Sequence, residues 1–100
     1  MDFTATWYCP SGGVGDGLTT ATGTHVSSTT LAVDPSLIPL GSVVEMDFPD
    51  GHTEIRTAED TGGAIHGSIV DVFTWDERTA INNGRQHIRL RIVGHKNLGR

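Results

Sequence analysis

Short runs in which apolar and polar residues alternate recur along most of the chain. Every second side chain of a strand faces the same side of a sheet, so such alternation predicts half-buried β-strands. β-Branched and aromatic residues, which favour strands, are concentrated in the same runs. The pattern predicts six strands, at residues 3–8, 29–33, 42–48, 53–59, 69–73 and 87–93.

Two segments carry the start and stop signals of helices instead. Residues 34–41 begin like a helical turn with Asp34 as its cap, and a proline and a glycine end it within one turn. Residues 74–84 match a capping box, with Thr74 as the cap and Glu77 three residues later. We expect a short helix from there to about residue 82, ended by the Asn-Gly pair that follows.

Glycine-rich and proline-rich stretches separate these elements. Residues 10–17 lack any regular pattern and predict a mobile loop, whereas residues 49–51 predict a tight turn. Six strands, one or two short helices and glycine loops predict a mostly β fold, a compact barrel. The 100 residues suffice for one hydrophobic core, so we expect a single domain over residues 1–100.

The bulk composition excludes several functional classes. A net charge of −5 argues against a nucleic-acid partner. No apolar run reaches the roughly 18 residues of a membrane-spanning helix, and no basic and then apolar leader is present. The only cysteine, Cys9, allows no intrachain disulfide and is expected to be a small, partly buried apolar residue.

The few basic residues gather near the C-terminus, at positions 85, 89, 91, 96 and 100. Such a group can form a local anion site, but the simpler interpretation is the solvated face of a strand. No motif for zinc or for a phosphate loop is present, so no metal and no cofactor is expected.

The glycine turn at residues 60–67 and the strand after it carry the strongest candidates for chemistry. The turn can bring two carboxylates, Asp60 and Asp71, from neighbouring strands to one surface. Ile69 and Phe73 share a face with Asp71, and apolar neighbours raise the pKa of a carboxyl, which suits a general acid. The alternative is a buried aspartate that backbone amides of the glycine turn satisfy.

Other polar residues allow both a functional and a structural interpretation. Asp60 can organise the turn, and Asp34 can cap the segment after it. His66 can bind substrate, tune a carboxylate or simply lie exposed in its loop. The threonines at positions 20, 22 and 24 can line a polar groove or form half-exposed sheet surface.

The aromatic residues Trp7, Tyr8 and Trp75 are open to two interpretations. Their flat apolar rings complement the faces of pyranose sugars, which suggests sugar stacking. Core packing is the alternative, and it is the commoner role of such residues.

Several blocks of the sequence, taken in order, closely resemble the three-aspartate (3D) domain. This domain occurs in the family of membrane-bound lytic transglycosylase A and in bacterial stationary-phase survival proteins. The likeness spans residues 3–93 and is carried by the blocks TATGT at 20–24, LAVDP at 31–35, IPLG at 38–41, AEDTGGAI at 58–65 and IVDVF at 69–73.

The resemblance implies a six-stranded double-psi β-barrel that cleaves the β-1,4 bond between N-acetylmuramic acid and N-acetylglucosamine in peptidoglycan. The C6 hydroxyl of muramic acid would attack its own anomeric carbon, leaving a 1,6-anhydro product. The family's three aspartates carry over to Asp34, Asp60 and Asp71. Asp71 is implied to be the catalytic acid and later the base, Asp60 to orient it or to stabilise positive charge, and Asp34 to secure a loop.

The resemblance also implies a setting for these residues. The candidates for substrate binding are Thr22, Thr24, Asp34, Gly62, Gly63 and His66. The implied partner is a peptidoglycan glycan strand, and the implied protein is a monomer of the cell wall or the extracellular space. Two features depart from the family: His66 stands where Lys is usual, and the chain lacks the extra domain that widens the groove in larger transglycosylases.

Two further functions compete with glycan cleavage. The triplet Asp60-Thr61-Gly62 is also the signature of retroviral-type aspartic proteases, although only forty residues follow Asp60 here. The third hypothesis is a non-catalytic barrel that binds or loosens cell-wall polysaccharide, as in expansin-like relatives of the fold, because fold alone does not decide function.

Overall fold

In the computed structural model, the described residues form six strands and one helix. The structure describes residues 1–9, 20, 22–24, 26–62 and 64–96. In chain order the elements are β1 (Asp2–Tyr8), β2 (Thr30–Ala32), β3 (Ser42–Asp47), β4 (Thr53–Asp60), β5 (Ile69–Phe73), α1 (Glu77–Asn83) and β6 (Gln86–His95). The predicted loop at residues 10–17 lies outside the described residues.

The six strands form one sheet that closes on itself as a ring in the order β1-β5-β2-β4-β3-β6. The ring closes through β6, which pairs antiparallel with both β1 and β3. Two pairs are parallel, β1 with β5 and β2 with β4. The connections from β1 to β2, from β2 to β3, from β4 to β5 and from β5 to β6 each skip one strand of the ring. The predicted six-stranded, mostly β fold is confirmed.

The core lies inside the ring and is built by the alternation seen in the sequence. On β1, Phe3 and Ala5 point inward, and on β3 Val44 and Met46 do the same. Removing these apolar side chains from water is the main favourable contribution to folding. The other buried members of the core are Leu31, Val33, Ile38, Phe48, Ala58, Val70, Val72, Ile88 and Leu90.

Helix α1 begins later than the sequence pattern predicts. Its N-cap is Asp76, whose side chain accepts a hydrogen bond from the Arg78 amide at 3.0 Å. The predicted capping box with Thr74 as the cap is wrong, because the Thr74 amide donates to the Tyr8 carbonyl at 2.9 Å and so extends the β1–β5 pairing by one residue. The helix ends at Gly84 (φ 57°), as expected.

The segment after Asp34 forms a single turn and no helix. The amides of Leu37 and Ile38 both donate to the Asp34 carbonyl, at 3.0 Å each. The described part of the chain therefore has one helix, where the sequence allowed one or two. No helix in that part has the length and apolar character that crossing a membrane requires.

Candidate functional site

A β-bulge brings the two carboxylates of the glycine-turn region onto one face of the sheet. Leu31 of β2 pairs with Ala58 of β4, but the next residue, Ala32, pairs with Asp60, so Glu59 is an extra residue on β4. A bulge of this kind turns the following side chain to the other face of the sheet. On its other edge, Ala32 pairs with Asp71 of β5.

Asp60, Ala32 and Asp71 therefore form one row across three strands, and paired residues of a sheet share a face. This face is the outer side of the ring, because Val70 and Val72, the neighbours of Asp71, point into the core. The prediction that the two carboxylates come from neighbouring strands is wrong. Strand β2 lies between them, because the connection that contains the glycine turn skips β2.

Thr6 of β1 extends the row by one strand and contacts Asp71. The two residues are paired in register, and the Thr6 hydroxyl lies 2.7 Å from Asp71 Oδ1. Burial raises the pKa of the Asp71 carboxyl, the Thr6 hydrogen bond opposes this, and the charge of Asp60 raises the pKa further. The net shift is upward, as the sequence predicts. Within the described residues, the donor to Asp71 is Thr6 and not an amide of the glycine turn.

The Thr6 hydroxyl has a second acceptor, the Val70 carbonyl at 3.2 Å. A hydroxyl carries one proton to donate and two lone pairs to accept with. When Asp71 is ionised, Thr6 can donate to it. When Asp71 is protonated, Thr6 can donate to Val70 and accept the carboxyl proton. Both protonation states of Asp71 are thus provided with a hydrogen bond.

Tyr8 joins the two ends of the row. Its ring packs edge-on against Phe73, with centroids 5.4 Å apart, and its hydroxyl lies 3.4 Å from Asp60 Oδ2. Burial, followed by the charges of Asp60 and Asp71, raises the pKa of the phenol, so Tyr8 remains a hydrogen-bond donor. From the sequence, only stacking or packing is expected of Tyr8. Its two-residue spacing from Thr6 was the available signal that both share the outer face.

The turn after Asp60 is compact. The Thr61 amide donates to Asp60 Oδ1 at 2.9 Å, and the Ile65 amide donates to the Gly62 carbonyl at 3.0 Å. A Cβ atom on Gly62 would lie 2.9 Å from Cγ1 of Ile65, so a larger residue there would have to displace the Ile65 side chain. Gly63, another substrate-binding candidate, lies outside the described residues.

Asp34 fastens this turn region to the segment after β2. Its Oδ2 accepts from the Gly67 amide at 2.7 Å, and its Oδ1 accepts from the Ser36 amide and hydroxyl at 2.9 and 2.7 Å. These hydrogen bonds, that from Gly67 first, lower the pKa of Asp34 to about 2. Gly67 has φ +70°, a conformation that favours glycine. His66 is exposed beside this junction.

A cluster of threonine hydroxyls lies against the bulge. The Thr20 hydroxyl is 2.9 Å from that of Thr22 and 2.6 Å from that of Thr24. Thr22 also donates through its amide and its hydroxyl to the Glu59 carbonyl, at 3.3 and 3.0 Å. Of the substrate-binding candidates, Thr22 thereby contacts the residue that precedes Asp60, and Thr24 belongs to the same hydroxyl cluster, 3.1 Å from the Thr22 hydroxyl.

The aromatic candidates separate into different environments. Trp7 packs against the core and lies 5.9 Å from the Phe48 ring, which agrees with the packing interpretation. Trp75 is 56% exposed and packs edge-on against Phe73, with centroids 4.7 Å apart. Cys9 is partly buried, and its thiol donates to the Trp75 carbonyl at 3.4 Å.

Among the basic residues near the C-terminus, Arg89 and Arg91 follow the simpler interpretation, while Arg100 lies outside the described residues. Arg89 and Arg91 alternate on the exposed face of β6, and Arg91 forms an ion pair with Glu45 of β3 at 2.5 Å. In the described ranges, no group of three His, Cys, Asp or Glu residues is arranged to hold a metal ion.

Comparison with known proteins gives consistent matches. The sequence model of the 3D domain matches residues 29–94. The cell wall-binding protein YocH of Bacillus subtilis (strain 168) is 39% identical over 97 residues, which cover 93% of this chain and 32% of YocH.

Solved structures also resemble the ring. The lytic transglycosylase LtgG of Burkholderia pseudomallei superposes with a TM-score of 0.60 and 30% identity, over 78% of this chain and 27% of LtgG. A variant of the Clavibacter michiganensis expansin in complex with cellohexaose gives a TM-score of 0.68 at 18% identity, over 94% of this chain and 51% of the expansin. This chain thus spans about a third of YocH and about half or less of the two solved proteins.

Proposed function

Because this chain belongs to the 3D domain family, we propose that it cleaves the glycan strands of peptidoglycan as a lytic transglycosylase. The bond broken is the β-1,4 bond between N-acetylmuramic acid and N-acetylglucosamine. The observation that carries the proposal is the half-buried Asp71, whose pKa is raised, in one outer-face row with Asp60. The likeness to LtgG, a lytic transglycosylase, supports the same reaction.

Asp71 acts first as an acid and then as a base. Its proton passes to the glycosidic oxygen while the bond from that oxygen to the anomeric carbon of muramic acid breaks, and the electron pair leaves with the oxygen. The Asp71 carboxylate then takes the proton of the C6 hydroxyl of the same sugar. The C6 oxygen bonds to the anomeric carbon, which closes the 1,6-anhydro ring and returns Asp71 to its protonated form.

The internal nucleophile removes the need for a second carboxylate that activates water. Asp60, two strands away and so about 10 Å from Asp71 between backbones, stabilises the positive charge that develops on the sugar ring. Tyr8 holds Asp60 by donating to Oδ2. The Thr6 hydroxyl forms a hydrogen bond with Asp71 in both of its protonation states. Thr22, Thr24 and His66 add polar groups around the carboxylate row that contact the glycan.

We further propose that the ring is a double-psi β-barrel. Two features support this type: four of the connections each skip one strand, and the ring contains two parallel pairs, β1 with β5 and β2 with β4. The expansin match supports the same architecture. We expect the protein to act as a monomer at the cell wall, outside the cell, in line with the name of YocH.

A binding function without cleavage is the second candidate. YocH is named a cell wall-binding protein, and the expansin match contains a bound glucan fragment. The same outer-face row would then hold a glycan through hydrogen bonds without transferring a proton. The aspartic-protease hypothesis lacks comparable support, because the Asp-Thr-Gly triplet lies in a 3D domain sequence.

Incubation with purified peptidoglycan, followed by mass spectrometry of the soluble products, tests the proposal. We expect anhydromuropeptides from the wild-type protein and none from Asp71→Asn. Hydrated reducing ends would identify a hydrolase of the lysozyme type instead. Intact glycan that pellets together with the protein would identify the binding function.

A further inference from the structure

Three aromatic rings lead from the carboxylate row to the protein surface. Tyr8 contacts Asp60 through its hydroxyl, its ring packs on Phe73, and Phe73 packs on Trp75. Phe73 is fully buried between the other two rings. Trp75 is therefore connected to the site by continuous ring contacts and belongs to the same surface.

Backbone contacts hold Trp75 in place at the start of the bend that follows β5. The Thr74 amide donates to the Tyr8 carbonyl at 2.9 Å, and the Cys9 thiol donates to the Trp75 carbonyl at 3.4 Å. The Trp75 ring stands perpendicular to that of Phe73, at an interplanar angle of 89°. Its orientation is thus set by the buried ring beneath it, while more than half of its surface remains open to solvent.

An exposed indole has the chemistry to bind a sugar ring. Its face is apolar and carries partial negative charge, which suits the C–H groups on one face of a pyranose. The chain has a net charge of −5, and the stem peptides of peptidoglycan carry carboxylates, so overall charge does not attract this substrate. Affinity must therefore come from neutral contacts of this kind and from hydrogen bonds.

The spacing places this contact away from the bond that is cleaved. Trp75 follows Asp71 by four residues, which corresponds to at most about 13 Å of extended chain. The Phe73 ring also lies between Trp75 and Tyr8, which contacts Asp60, so we place a pyranose on the indole face next to the reacting sugar along the strand.

We infer that Trp75 is a sugar-binding platform that holds the glycan strand beyond the reacting sugar and makes long strands better ligands than short ones. This inference rests on the proposed glycan substrate and adds a determinant of strand length. It assigns Trp75 a role in specificity and no role in proton transfer.

The test measures binding in an Asp71→Asn background, so that the glycan stays intact. Pelleting with purified peptidoglycan gives the affinity of this protein, and we expect the added change Trp75→Leu to weaken it by roughly tenfold. Leucine preserves apolar packing against Phe73 but offers no flat face, whereas Trp75→Phe should recover most of the affinity. Ile55→Ala is the matched control, since Ile55 is 50% exposed on β4 and should leave the affinity unchanged.

The length dependence is measured with soluble chitin oligosaccharides as probes. We expect Trp75→Leu to weaken binding of a hexasaccharide and to leave the weak binding of a disaccharide unchanged. Equal affinities of Asp71→Asn with and without the added Trp75→Leu would contradict the proposed role of Trp75. The absence of any glycan binding by Asp71→Asn would contradict it as well. Failure of the proposed cleavage has a different signature: the wild-type protein binds peptidoglycan, responds to Trp75→Leu and releases no anhydromuropeptides.

Discussion

Asp60 and Asp71 lie in one row on the outer face of the ring, separated by a single strand. The relationship depends on Glu59, the extra residue of the bulge. Ala58 faces the core, and in a regular strand Asp60, two residues later, would face the core as well. The bulge turns Asp60 outward, and the buried Glu59 accepts a hydrogen bond from Thr30 at 3.1 Å.

Replacing Asp71 by asparagine should separate stability from activity. The folded protein holds the Asp71 proton to higher pH than the unfolded chain does, whose carboxyl has a pKa of about 3.9. At low pH, where it is protonated in both states, the carboxyl therefore does not lower the free energy of unfolding. As pH rises through the raised pKa, the carboxyl ionises in the folded protein and lowers that free energy. Asn, which does not titrate, should raise the melting temperature by up to a few degrees at pH 7 and by less at pH 3.

The same variant should lose glycan cleavage by a factor of at least about 100, the usual contribution of a general acid. Thermal unfolding followed by circular dichroism at the two pH values measures stability, and release of anhydromuropeptides measures activity. A variant that is less stable at pH 7, or that cleaves at the wild-type rate, would contradict the role of Asp71.

Thr6→Val should shift the pH dependence of cleavage. The Thr6 hydrogen bond lowers the pKa of Asp71 against the larger effect of burial. Without it the pKa of Asp71 rises further, so the acid form persists to higher pH and the alkaline limb of the pH–rate profile shifts to higher pH. Thr4→Val is the matched control, because Thr4 precedes Thr6 by two residues on the same face of β1 but pairs with Ile69. An alkaline limb that stays in place or moves down would exclude this role of Thr6.

The strands could be predicted from the sequence because their alternation is a local signal. β5 has the predicted bounds, and β1 begins one residue earlier than expected. The order of strands in the ring could not be predicted in this way, because the pairing of β2 with both β4 and β5 joins residues far apart in the chain. The start of α1 differs from the prediction for a related reason. The Thr74 amide donates to the Tyr8 carbonyl of β1, a contact between residues far apart in the chain.

In the site, too, features set by the local sequence could be predicted, and features set by strand register could not. The raised pKa of Asp71 follows from its apolar neighbours in sequence, so it could be predicted. The bulge at Glu59 and the reach of Tyr8 to Asp60 depend on register, which composition and periodicity do not specify.

Asp34→Ala should destabilise the protein in a pH-dependent way. Hydrogen bonds from Gly67 and Ser36 lower the pKa of Asp34 to about 2, below the value of about 3.9 in an unfolded chain. The ionised carboxylate therefore contributes stability that is present above about pH 4 and is lost as pH falls through about 2. The variant should melt at a lower temperature than the wild type at pH 7, and the difference should shrink towards pH 2. A difference that is independent of pH would mean that the charge of Asp34 does not stabilise the fold.

Tyr8→Phe should slow cleavage through Asp60. The change removes the hydroxyl that lies 3.4 Å from Asp60 Oδ2 and keeps the ring that packs on Phe73. We expect a decrease in kcat of a few-fold to tenfold, because one hydrogen bond to a charged group is lost, with little change in melting temperature. Asp60→Asn alone should slow turnover by less than Asp71→Asn does.

The double variant Tyr8→Phe with Asp60→Asn decides whether Tyr8 acts through Asp60. If the phenol matters because it holds the Asp60 carboxylate, its removal costs nothing more once that carboxylate is gone, and the two effects are not additive. Single-turnover rates on purified glycan strands for the wild type, both single variants and the double variant complete the cycle. Fully additive losses would show that Tyr8 acts independently of Asp60 and that their hydrogen bond is incidental to turnover.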